Sequence, residues 1–195
     1  VANVPAYLMG SPMAMRMRRP QEAKAPLTIC VSSITSGGID SDIIERRGCA
    51  VLALLRKLEA DGHPVTLWLT GGLAPRENTV FCAARMDSSP IDIARACYTL
   101  SDSDVQRELI FAVGNKILGS NTGCIRWPFC DYKWNEKIAE QQSVYGQLLD
   151  VTPETILIVP PVFLSEERYF NSDTAAADWV NMRYEQASAV HEVAV

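Results

Sequence analysis

Residues 27–70 read LTICVSSITSGGIDSDIIERRGCAVLALLRKLEADGHPVTLWLT. The run from Leu27 to Ser33 is short, apolar and rich in β-branched residues, which fits a buried strand. SGGIDSD then reads as a loop. A helix is expected from Ile43 to Ala60, with Ile44, Val51, Leu52, Leu55 and Leu58 as its apolar stripe. Arg46, Arg47, Arg56, Lys57 and Glu59 are expected mostly outside, and Gly48, near the stripe, is expected to permit close helix–sheet packing. Gly62 should end the helix and Pro64 should prevent its resumption. PVTLWLT, residues 64–70, is then a second strand.

The order strand, helix, strand decides the class, and the flanking segments extend it. GGLAPREN, residues 71–78, is too short for a parallel return, so TVFCAARM, residues 79–86, is expected antiparallel to the strand before it. Ser89-Pro90 opens a helix over residues 91–100. Ser103 with Gln106 reads as a capping box for a helix over 104–118, with Val105, Leu109, Ala112, Val113 and Ile117 buried. GSNTG breaks the pattern, and Asn135 caps a helix carrying Ile138, Tyr145, Leu148 and Leu149. TILIVPPVF is the last strand, stopped by Pro160 and Pro161, and Ser172 or Asp173 caps a final helix bearing Trp179, Val180 and Tyr184. This order predicts an α/β fold with a mostly parallel sheet and helices on both faces. Residues 1–26, with four prolines, read as an extended N-terminal arm, 27–187 as one domain and 188–195 as a C-terminal tail.

Composition narrows the function. Of the 195 residues 48% are hydrophobic and 21% charged, enough apolar surface for a globular core. The net charge of −5 argues against a generic cationic nucleic-acid binder, though it leaves room for a local basic patch. No apolar run is long enough to span a membrane, and VANVPAYLMG lacks the charged-then-apolar pattern of a signal peptide. Cys30, Cys49, Cys82 and Cys97 lie in apolar periodic segments, where a thiol packs as a small hydrophobe. That predicts a reducing compartment and no disulfide framework.

Catalytic signals are weak. The two histidines are His63, expected at a solvent-exposed turn, and His191, near the end. The glycine pairs in TSGGID and LTGGL read as plain turns or as phosphate cradles. Cys124 and Cys130 lack the further ligands that a zinc site needs. The expectation is a protein that is not an enzyme and uses no cofactor or metal.

The layout resembles a von Willebrand factor A domain: central strand, serine-rich loop, amphipathic helix, strand, antiparallel strand. That family's metal site opens Asp-x-Ser-x-Ser. Here Val31, Ser33 and Thr35 align with it, the aspartate is missing, and Asp40 and Asp42 lie out of register. The resemblance implies the fold of residues 27–187 without the metal chemistry.

A second resemblance rests on Gly10, Pro12, Met13, Arg47, Gly48, Ala50, Ala53, Leu54, Leu58, Glu59, Gly62 and Val65. These match an uncharacterised family of tailed bacteriophages over about the first 70 residues. The resemblance implies a phage origin and the host cytoplasm. It also raises a role like that of the small single-stranded-DNA-binding cofactor that podophages with a virion RNA polymerase encode for a second phage RNA polymerase.

CIRWPFCDYKW, residues 124–134, carries the strongest binding signal. Its aromatics sort to no single strand face or helix face, and Pro128 interrupts a helix, so it reads as an ordered loop. Three readings stand open. The rings plug the core, stack on nucleic-acid bases beside cations, or form a protein hot spot. The favoured expectation is single-stranded DNA, stacked by Trp127, Phe129, Tyr132 and Trp134, with Arg126, Lys133, Arg16, Arg18 and Arg19 on phosphates. An acidic body needs several subunits or a focused groove for this, hence a homo-oligomer. The alternative is a protein–protein adaptor with a metal-less von Willebrand A-like fold.

Overall fold

The computed structural model describes residues 24–33, 35, 38–73, 80–86, 92–105, 112, 116, 138–162 and 167–193. Four strands, β1 (Leu27–Ser32), β2 (Val65–Leu73), β3 (Val80–Met86) and β4 (Ile156–Val159), form one sheet in the order β3-β2-β1-β4. β1 is parallel to β2 and β4, and β3 is antiparallel to β2. Among the described residues the α-helices that can be traced end to end are α1 (Ser41–Ala60), α2 (Ile93–Ser101), α3 (Ile138–Leu149) and α4 (Asp173–Val193). The expected α/β class and mostly parallel sheet are therefore present.

β1 is buried on both faces because helices cover both. Leu27, Ile29 and Val31 enter the larger core with α1, α2 and α4, whose contributions include Val51, Leu54, Leu55, Leu58, Leu100 and Trp179. Cys30 turns the other way, to Ile156, Ile158 and Tyr145 of α3. Strand periodicity sends alternate residues to opposite faces, so a covered central strand must be apolar throughout. Burial also pushes the Cys30 thiol up to about 12, which makes it an inert packing group.

α1 ends as its sequence demands. Gly62 adopts φ 92°, its N–H donates to the Glu59 carbonyl, and the His63 N–H donates to the Leu58 carbonyl. This pair of bonds satisfies carbonyls that a helix end otherwise orphans, and it needs a left-handed residue at Gly62. α4 is capped by Ser172, whose Oγ accepts from the Ala175 N–H at 3.2 Å.

Several expectations are corrected. Gly48 serves helix–helix contact, not helix–sheet contact. A Cβ there would lie 2.4 Å from Ser101 Oγ and 2.5 Å from the Leu100 carbonyl oxygen. The N-cap of α2 is Asp92, which accepts from the Arg95 N–H at 3.0 Å, and the helix begins at Ile93. Asp102, not Ser103, caps the next turn, accepting from the N–H groups of Asp104 and Val105. Of the expected buried face, Ala112 is exposed and Val105 half-buried, while Leu109, Val113 and Ile117 lie outside the described residues. Gly71 and Gly72 are neither turn nor phosphate cradle. They pair in the β2–β3 ladder with Cys82 and Phe81. Cys49 is exposed on α1, so only its spacing, not its burial, follows the apolar pattern. α4 continues through residues 188–193, where a tail was expected.

The end of the expected arm is held down. Lys24 bridges to Asp61, and Asp61 also accepts from the Tyr184 hydroxyl at 2.8 Å. His63 is buried, not exposed at its turn, because its Nδ1 donates to the Ala25 carbonyl at 3.1 Å. Lys24, then Tyr184, holds the Asp61 carboxyl below its ordinary value. Among the described residues no helix is long and apolar enough to cross a membrane.

Candidate functional site

In doubly wound sheets ligands settle beyond the carboxyl ends of strands, where neighbouring connections leave in opposite directions. Here that point lies between β1 and β4, since β1 leads through α1 to β2 on its other side. The protein fills the place itself. Arg47, fully buried on α1, donates from Nη2 to the Ser32 and Pro160 carbonyls, each at 2.9 Å. Burial lowers its pKa to about 10. The loops beyond also pair, Thr35 bridging Val162 in parallel fashion. Ser33 donates its hydroxyl to the Thr70 carbonyl at 3.2 Å. The expectation that Arg47 faces solvent is overturned: two strand ends need a donor, and the helix supplies it from within.

This also accounts for the residues aligned with the von Willebrand metal motif. Val31 is wholly buried core, the Ser33 hydroxyl is committed to a carbonyl, and Asp40 and Asp42 are exposed at the start of α1. Among the described residues no group of three His, Cys, Asp or Glu side chains could hold a metal ion.

The second concavity runs along β4, the last strand on that side of the sheet among the described residues. Leu27 and Ser33 direct their N–H groups to the β2 side. The even-numbered residues of β1 therefore face β4, and the register turns Leu157 and Val159 inward. Ile156 and Ile158 consequently direct their backbone groups away from β1, and both residues are buried. Ile156 is already satisfied: its N–H donates to the Pro153 carbonyl, and its carbonyl accepts from Gln142 Nε2 at 2.7 Å. Ile158 is the next outward-facing residue.

A cavity of about 250 Å³ lies beside β4, bordered by Ile138 and Gln142 of α3, by Glu154 ahead of β4, and by Arg183, Gln186 and Ala187 of α4. A smaller hollow of about 70 Å³ follows at Pro160, Pro161, Phe170, Trp179 and Met182, and Arg183 borders both. Arg183 Nη1 donates to Gln186 Oε1 at 2.9 Å, and the guanidinium lies over the Trp179 ring with its centre 5.6 Å from the ring centroid. Its Nε is buried without a hydrogen-bond partner, and no carboxylate pairs with it among the described residues. Burial lowers its pKa, opposed by Tyr169.

The chain belongs to the family of the domain of unknown function DUF7192. The match covers residues 1–181, so it takes in the arm, the sheet and the aromatic run alike. No curated protein and no solved structure matches the chain.

Within this DUF7192 chain the residues expected to bind nucleic acid lie outside the described residues. They are Arg16, Arg18, Arg19, Arg126, Trp127, Phe129, Tyr132, Lys133 and Trp134. Sequence reasoning missed Arg183 and the β4 edge. An arginine flanked by Met182 and Tyr184 on an amphipathic helix carries no local mark of a concave site. The only sequence signal for the edge was the brevity of ILIV before Pro160 and Pro161.

Proposed function

We propose that this is a phage-encoded, non-enzymatic protein that binds single-stranded DNA and serves a phage RNA polymerase as cofactor in the host cytoplasm. The observation that carries the reading is the run Arg126–Trp134, which sets four aromatic rings beside Arg126 and Lys133. Stacking on a base contributes about 1–3 kcal/mol and accepts any sequence, because every base has a flat face. A duplex hides those faces, so single strands are preferred. The net charge of −5 favours assembly of several copies, which multiplies a local cationic patch.

The test is oligonucleotide binding by the full chain at low and high salt. A single strand should bind more tightly than a duplex of the same length, and affinity should fall as salt rises. Trp127→Ala and Trp134→Ala should each weaken binding by about 1–3 kcal/mol with unchanged melting. Equal binding to duplex, or no binding at low salt, would overturn the reading.

A further inference from the structure

We draw no further inference here: the strongest candidate, the cavity of about 250 Å³ between β4, α3 and α4 that Arg183 and Glu154 both border, carries none, because nothing in the structure shows what covers it.

Discussion

The crevice beyond β1 and β4 and the cavity beside β4 each hold an arginine drawn out of water, Arg47 in one and Arg183 in the other. In the first, the guanidinium donates to two strand-end carbonyls, and the loops beyond close over it through the Thr35–Val162 bridge. In the second, the guanidinium has one amide and one ring, and a cavity in front of it. The same side chain is a structural plug where backbone acceptors converge and an available cation where they do not. The comparison teaches that burial of a charge does not tell its role. The inventory of acceptors around it does.

Removing each charge at constant volume separates the two arginines. Arg47→Met removes the guanidinium bonds to the half-buried Ser32 and Pro160 carbonyls, and losing a hydrogen bond from a charged donor costs about 1.5–3 kcal/mol. Urea unfolding should show a loss of about 3 kcal/mol or more, while Arg183→Met should stay within about 1 kcal/mol of wild type or exceed it. Equal losses would erase the distinction.

Gly48→Ala tests whether the Arg47 side of α1 is as tightly built as Arg47 implies. The added methyl meets the Leu100 backbone carbonyl, which cannot swing aside as a side-chain tip would. Overpacking of this kind costs about 1–3 kcal/mol. A mutant melting with wild type would show that α1 and α2 slide freely.

The smallest effect concerns the opposite end of the sheet, where Asp61 joins Lys24 and Tyr184. Its folded pKa lies below the ordinary 3.8. The stability it contributes is thus fully present above that value and lost as pH falls through the lower, folded value. The difference in urea midpoint between wild type and Asp61→Asn should stay constant at neutral pH and close only below the ordinary carboxylate range. A difference that closes near neutrality would mean another group governs that end.

Much of the fold was legible because its signals are local. ILIV and LTICVS read as buried strands from composition, the short connection after β2 required an antiparallel partner, and Gly62 and Ser172 mark helix ends through bonds to residues within a few positions. The misreadings share a different cause. Gly48, His63 and Arg47 each touch a segment far along the chain: Leu100, Ala25 and Pro160 respectively. The glycines of LTGGL were read from the residue type, yet the ladder to β3 absorbs them because a strand accepts glycine wherever its partner supplies the bonds. For the candidate sites, the aromatic run was found by composition alone, whereas the β4 edge was not found.

The sequence by itself determined the class: hydrophobic periodicity sets strand and helix, and loop length sets strand direction, since both act through neighbours along the chain. Only the tertiary structure decided what each arginine does. Arg47 and Arg183 have the same donors and both sit on amphipathic helices. Their difference lies in the acceptors the fold carries to them, and for Arg47 one of those comes from 113 residues away.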